Sequence, residues 1–90
     1  MKTVILDGKQ MKTVADAHLY IAEKMDFPSY YGKNLDALED CLGEFGASCT
    51  VIIINASDIY LSLDGYAHRL LEVFRDVSAQ NNAFKLIIQQ

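Results

Sequence analysis

The sequence predicts an α/β protein with a parallel sheet layered against helices, in the order β-α-α-β-α-α-β. Three short runs of β-branched and apolar residues have strand character: Thr3–Leu6, Thr50–Ile54 and Phe84–Ile88. The long stretches between these runs carry apolar residues at helical spacing, as the crossovers between parallel strands do. This pattern indicates right-handed crossovers but leaves the order of the strands in the sheet open.

The first strand is expected to end at Asp7-Gly8, because Asp-Gly is a turn signal. Thr13 can cap a helix, and Asp16 completes a weak capping box three residues later. Apolar residues then recur at helical spacing, which predicts the first helix from about residue 14 to 25.

A loop containing tyrosine and glycine is predicted to precede the second helix. Pro28 excludes a continuation of the first helix and favours an extended Phe27. Gly32 is expected to adopt a left-handed or tight backbone and to allow close approach by a partner. Asn34 is a suitable N-cap for the second helix, which is expected to end near Gly43 or Gly46.

The second half of the chain repeats the strand–helix–helix pattern. Thr50–Ile54 is an unbroken β-branched run, which is typical of a strand covered by helices on both faces. Ser57 or Asp58 is expected to cap a short helix that runs through Leu63, and Asp64 to cap a longer one. The buried side of the longer helix is predicted to comprise Ala67, Leu70, Leu71, Phe74 and Val77.

At 3.6 residues per turn, the second helix has an apolar face and an acidic face on opposite sides. Like charges three or four residues apart repel by about 0.2–0.5 kcal/mol per pair, so folding alone does not explain an acidic side. A solvated surface is the simplest interpretation, but the neighbouring tyrosines and glycine favour a binding surface. The apolar face comprises Leu35, Leu38, Cys41 and Leu42, and the acidic face comprises Asp36, Glu39, Asp40 and Glu44.

The composition is that of a folded protein with an acidic surface. Ninety residues with a hydrophobic fraction of 51% can bury a single core. The net charge of −4 argues against nucleic acid as a direct ligand, because phosphate binding needs a basic patch. The same charge favours a basic protein as partner, attracted over long range.

The two cysteines, Cys41 and Cys49, are expected to be reduced thiols. Together with two separated histidines they do not resemble a zinc site. His18 is expected to be buried and hydrogen-bonded, and His68 to lie at the surface. The six residues before Asp7-Gly8 are too few for a signal peptide, and no run reaches transmembrane length. We therefore expect a cytoplasmic protein without membrane contact.

One catalytic interpretation has weak support in the sequence. Asp36 and Asp40 lie four residues apart and could serve as general acid and base, or bind a metal ion. No histidine stands near them, and the serines have no G-x-S-x-G setting. A glycine-rich phosphate loop is also absent from the sequence. We expect neither an active site, nor a cofactor, nor a metal ion, and a small hydrolase stays as the least favoured alternative.

One long run resembles the signature segment of the barstar family, intracellular inhibitors of secreted bacterial guanyl-preferring ribonucleases: Tyr30-Tyr31-Gly32-Lys33-Asn34-Leu35-Asp36-Ala37-Leu38-Glu39-Asp40-Cys41-Leu42. Val14–His18 resembles the family's first helix with its histidine. Leu71–Asp76 matches the family's last long helix, which a terminal apolar strand follows. The resemblance implies a single barstar-like domain over residues 1–90, with a three-stranded parallel sheet in sequential order.

The resemblance also implies the roles of individual residues. Asp40 matches the aspartate that plugs the nuclease active site in place of a phosphate, and Asp36 matches one that supports binding nearby. Tyr30 matches the tyrosine that lies against the catalytic histidine of the nuclease. Helix two and the loop Pro28–Asn34, here named the contact loop, would carry the contact. The predicted partner-binding residues are Tyr30, Tyr31, Gly32, Asn34, Leu35, Asp36, Glu39, Asp40, Gly43, Glu44, Phe45 and Asp76.

The sequence departs from the family pattern at several positions. Glu39 replaces a tryptophan in the middle of helix two, and Phe45 stands where a second tryptophan follows that helix. Asp76 matches a contacting glutamate and is one methylene shorter. Asn81 and Asn82 occupy the region in which family members often carry a second cysteine. The expected partner is a secreted basic ribonuclease of the barnase type, bound one to one. The alternative is an immunity protein against a different toxin nuclease.

Overall fold

The computed structural model describes residues 2–45 and 48–90, without the side chain of residue 45. The elements follow the predicted order: β1 (Lys2–Asp7), a short 3-10 helix (Gly8–Gln10), α1 (Val14–Met25), α2 (Leu35–Phe45), β2 (Cys49–Ile54), α3 (Ala56–Leu63), α4 (Gly65–Gln80) and β3 (Lys85–Ile88). None of the helices in these two ranges could span a membrane.

The three strands form one parallel sheet with β2 at its centre, in the order β1-β2-β3. Val4 lies opposite Val51, and Val51 lies opposite Leu86. This arrangement confirms the α/β class and the sequential strand order that the family resemblance implies.

Helices cover only one face of the sheet, so the prediction of two covered faces was wrong. Val51 and Ile53 of β2 are fully buried, whereas Ile52 between them is only half-buried. On the neighbouring strands, Ile5 is 52% exposed and Ile87 is 46% exposed. The physical reason is topological: in a sheet of sequential order, crossovers of the same hand return over the same face.

The first two helices begin at the predicted caps. The Asp16 amide donates to Thr13 Oγ1 at 3.0 Å, and the Ala37 amide donates to Asn34 Oδ1 at 2.8 Å. Each of these bonds satisfies an amide that has no partner within its own helix. The cap of α2 also fixes the direction in which the contact loop enters that helix.

The side-chain caps predicted for the last two helices are not formed. α3 begins at Ala56, before Ser57 and Asp58, and its N-cap position is held by Asn55 with a left-handed φ of 54°. The Asn55 side chain does not cap the helix, and its amide nitrogen donates to a carboxylate of β1 instead. Asp64 precedes α4 as predicted, but its φ is 52° and its side chain makes no capping hydrogen bond.

A close backbone contact joins the carboxyl ends of β1 and β2. A Cβ atom added to Gly8 would lie 2.2 Å from the carbonyl oxygen of Asn55, so this position requires glycine. Asn55 Nδ2 and the Lys9 amide both donate to Asp7 Oδ1 at 2.9 Å. The hydrogen bond from Asn55, followed by that from Lys9, holds the pKa of Asp7 below its usual value. The contact thereby fixes the start of α3 against the end of β1.

The core lies between the sheet and the helices, and the predicted buried side of α4 is confirmed. Leu38, Cys41 and Leu42 place the apolar face of α2 against this core, with Leu35 partly buried beside it. α2 packs chiefly on α4. The largest fully buried side chains are Phe74, Phe84, Leu6, Met11, Ile21, Leu38, Leu42, Ile53, Ile59, Leu70, Leu71 and His18.

Candidate functional site

The contact loop is held by hydrogen bonds within the loop, one between backbone groups and one from a side chain. The Tyr31 amide donates to the Pro28 carbonyl oxygen at 3.0 Å, and Asn34 Nδ2 donates to the Gly32 carbonyl oxygen at 3.3 Å. A left-handed or tight backbone was expected at Gly32, and the left-handed φ is found at the next residue, Lys33, at 56°. Gly32 is tight for another reason: an added Cβ would lie 3.2 Å from the Cβ of Ala37. The loop therefore approaches the first turn of α2 closely.

The two adjacent tyrosines point in opposite directions. Tyr30 is 76% exposed, whereas Tyr31 is 5% exposed and packs its ring 5.0 Å from that of Phe27. Burial is the main cause that raises the pKa of Tyr31, with smaller contributions from Cys41 and Tyr66. The loop thus presents one tyrosine to solvent and uses the other as an anchor.

The acidic face of α2 is fully turned to solvent. All four carboxylate residues are exposed, and within the described part of the chain none makes a hydrogen bond or an ion pair. The only ion pair among the described residues joins Arg75 to Glu72 on α4, at 3.1 Å. The free carboxylates can accept charge-assisted hydrogen bonds from cationic groups brought by another molecule.

Two neighbouring depressions flank this face. One, of about 250 Å³, lies between the contact loop and α2, and the other, of about 320 Å³, lies between α2 and the end of α4. Asp40 is the residue that lines both. The first is lined by Tyr30, Tyr31, Gly32, Ala37, Asp40, Cys41 and Glu44, and the second by Glu39, Asp40, Gly43, Val77, Gln80 and Asn81.

The other predicted contact positions are arranged unevenly. Gly43 is exposed, and a Cβ added there would meet open space. Asn34 is exposed beside its capping bond, and Leu35 is half-buried at the start of α2. Asp76 is exposed on α4 and does not line either depression. The side chain of Phe45 lies outside the described part of the structure.

The remaining chemistry-bearing groups are mostly in the core. Cys41 and Cys49 are both buried and free, and burial is the main cause that raises the pKa of each thiol. His18 is buried between two tyrosines, as expected, and His68 is exposed. In the described ranges no group of three or more histidine, cysteine, aspartate or glutamate side chains could hold a metal ion.

Two residues of this site, Gln80 and Asn81, could not be found from sequence patterns. Gln80 and Asn81 enter the second depression from the end of α4, where the helix dipole adds partial negative charge. They reach this site because α4 packs on α2, although the two residues follow the middle of α2 by about forty positions along the chain. Helical spacing within one element cannot reveal such a neighbour.

Comparison with known proteins places the chain beside ribonuclease inhibitors. The model of a family described as "Barstar (barnase inhibitor)" matches residues 1–89. A protein of Bacillus subtilis (strain 168) described as "Putative ribonuclease inhibitor YrdF" is 36% identical over 91 residues, which cover 99% of this chain and 100% of that protein.

Proposed function

The chain belongs to the barstar family, and from this membership we propose that it is a ribonuclease inhibitor that covers the active site of its target one to one. The contact loop and the acidic face of α2 would form the contact surface. The inhibitor would block the active site sterically and electrostatically, and it would carry out no chemical step. Its target would be a basic ribonuclease that the same cell makes for export, and the inhibitor would act in the cytoplasm.

One observation carries the proposal: four exposed carboxylates, with no hydrogen-bond or ion-pair partner among the residues that the structure describes, lie beside an exposed tyrosine. A ribonuclease cleft must hold an anionic phosphate, so it is lined with cationic side chains. A carboxylate on a rigid helix can take the place of that phosphate. α2 is held in place by its cap and by its apolar face, so the backbone that bears the carboxylates is positioned before a partner binds.

Asp40 has the most favourable position for this role. It lines both depressions, so a cationic side chain bound in either one would lie beside it. Tyr30 bounds the first depression and offers an aromatic ring next to the carboxylate. Glu39 and the end of α4 bound the second and add negative charge.

Inhibition of RNA cleavage by barnase is the direct test of the proposed function. Barnase would be titrated with the purified chain, and the chain alone would be assayed for RNA cleavage. Stoichiometric inhibition without cleavage by the chain supports the proposal. Cleavage by the chain would support the hydrolase alternative, and inhibition of a different toxin nuclease but not of barnase would support the immunity protein.

The rate of association is expected to fall steeply as salt rises, while the rate of dissociation changes little. The acidic face attracts a cationic cleft from a distance, and dissolved ions screen this attraction beyond a Debye length of about 8 Å at 0.15 M salt. Stopped-flow measurements with barnase at low and high salt would give both rates. Asp58→Asn, a charge removed from α3, is the control and should leave the slope unchanged. A salt-independent association rate would contradict steering by the acidic face.

Glu39→Trp is expected to shift binding toward barnase and away from the chain's own ribonuclease. Glu39 lines the second depression beside Val77, so an indole ring there would cover apolar area and remove one carboxylate. Calorimetric titration against both nucleases would measure the two affinities. If neither changes by more than about 0.5 kcal/mol, the size of a neutral surface substitution, position 39 lies outside the interface.

A further inference from the structure

His18 connects three separate parts of the molecule. It belongs to α1 and has no exposed surface. Its Nδ1 lies 2.6 Å from the hydroxyl oxygen of Tyr31 in the contact loop. Its Nε2 lies 2.7 Å from the hydroxyl oxygen of Tyr66 on α4. Both polar atoms of this buried ring are thus used in hydrogen bonds to phenols.

The direction of these two hydrogen bonds follows from burial. A neutral imidazole has one N–H donor and one nitrogen acceptor, so one phenol donates to the ring and the other accepts from it. Tyr31 is almost fully buried, and among the described residues His18 is the hydrogen-bond partner of its hydroxyl. Tyr66 is only half-buried, so its own proton can reach water. Tyr31 therefore donates to Nδ1, and Nε2–H donates to Tyr66.

We propose that His18 is a positioning residue for the contact surface: it holds Tyr31 inward and thereby fixes Tyr30 outward in the place where the partner binds. This inference rests on the proposed function, because it takes the contact loop to be part of the interface. Tyr31 also bounds the depression beside Asp40, so a displaced Tyr31 would change the shape of that depression. His18 acts on the partner only through Tyr31.

Protonation of His18 is expected to release this anchor. The groups around the ring are the phenols of Tyr31 and Tyr66, with the thiol of Cys41 and the guanidinium of Arg69 next to those phenols. Burial lowers the pKa of His18, so the neutral ring is favoured in the folded protein. The contribution to stability is complete above the unfolded pKa of about 6.5 and is lost as pH falls through the lower folded pKa. A protonated Nδ1 can no longer accept from Tyr31, whose buried hydroxyl then loses its acceptor.

Two phenol-to-phenylalanine variants form a matched pair for the test. Tyr31→Phe and Tyr66→Phe each remove one hydroxyl from His18 and keep the aromatic ring. We expect Tyr31→Phe to raise the Kd for barnase about tenfold at pH 8 and Tyr66→Phe to change it less than about twofold. The Kd of the parent should rise further between pH 8 and pH 5.5 than that of Tyr31→Phe, and titration of the nuclease itself is common to both. Equal Kd values and equal pH profiles for all three proteins would overturn the proposal.

A second measurement decides the inference without a nuclease. Amide hydrogen exchange at Tyr31, whose N–H is bonded to the Pro28 carbonyl oxygen, reports the order of the contact loop. After correction for global stability, exchange should be faster in Tyr31→Phe and His18→Gln than in Tyr66→Phe and the parent. Equal protection in all four would overturn the positioning role. If barnase is not inhibited by the parent, the proposed target fails while this measurement still decides the role of His18. If His18→Gln does not fold, Tyr31→Phe decides it alone.

Discussion

Replacing Asp40 by alanine is expected to raise the Kd for barnase at least about 30-fold, a loss of about 2–5 kcal/mol. The carboxylate separates the two depressions and makes no hydrogen bond or ion pair within the described residues. Its removal leaves the cationic groups of the nuclease buried without a partner, and this desolvation dominates the loss. Calorimetric titration of the variant gives the change directly.

Two further variants test whether the loss comes from the charge of Asp40, from the shape of its side chain, or from the net charge of the protein. Asp40→Asn keeps the size of the side chain and removes its charge, so it should lose most of the same affinity. Asp58→Ala removes one negative charge from α3, which lines neither depression, and should change the Kd by less than about threefold, since salt screens charges outside the contact. An Asp40→Ala variant within threefold of the parent would remove Asp40 from the interface.

The largest effect on folding is expected from Gly8→Ala. The new Cβ would lie 2.2 Å from the carbonyl oxygen of Asn55 and 2.8 Å from Cγ1 of Ile59. The isoleucine can move, but the carbonyl belongs to backbone that is fixed by the bond from Asn55 to Asp7 and by the start of α3. We expect a loss of about 3 kcal/mol in the free energy of unfolding, at the upper end for overpacking.

Thermal unfolding of the two variants Gly8→Ala and Gly65→Ala would check this expectation. About 3 kcal/mol corresponds to a decrease in Tm of more than roughly 10 °C in a domain of this size. Gly65 is the first residue of α4, and a Cβ added there would meet no other atom. Alanine at this position should therefore keep the free energy of unfolding within about 1 kcal/mol of the parent, with any change being an increase. Equal Tm values for the two variants would show that the contact between Gly8 and Asn55 relaxes without cost.

Local patterns in the sequence were sufficient for most of the fold. The three strands, the first helix with its Thr13 cap and the two faces of α2 depend on periodicity and on hydrogen bonds between near neighbours. The left-handed backbone at Lys33, Asn55 and Asp64 could not be predicted, because residues other than glycine adopt it only where the surrounding structure compensates its cost. The open face of the sheet depends on the sequential order of the strands together with the common hand of the crossovers, and the strand pattern leaves that order open.

The candidate site was predictable only as a surface. Helical spacing placed four carboxylates on the exposed side of α2, and the structure agrees. The tyrosine that faces inward is the one that contacts His18, thirteen residues away in sequence, and the other ring nitrogen of His18 contacts Tyr66, forty-eight residues from it. The contact roles of the individual residues stay predictions, because they describe a complex rather than this chain.

The two faces of α2 have a consequence for how such an inhibitor can diversify. Its inner side chains Leu38, Cys41 and Leu42 serve the core, whereas its outer carboxylates serve no internal contact in the described chain. Substitutions on the outside can therefore accumulate at almost no folding penalty, since surface changes usually stay within about 0.5 kcal/mol. The same fold could therefore keep pace with sequence changes in the cleft of its target nuclease. New inhibitor–nuclease pairs could arise by exchanging a few outward side chains while every inward one is kept.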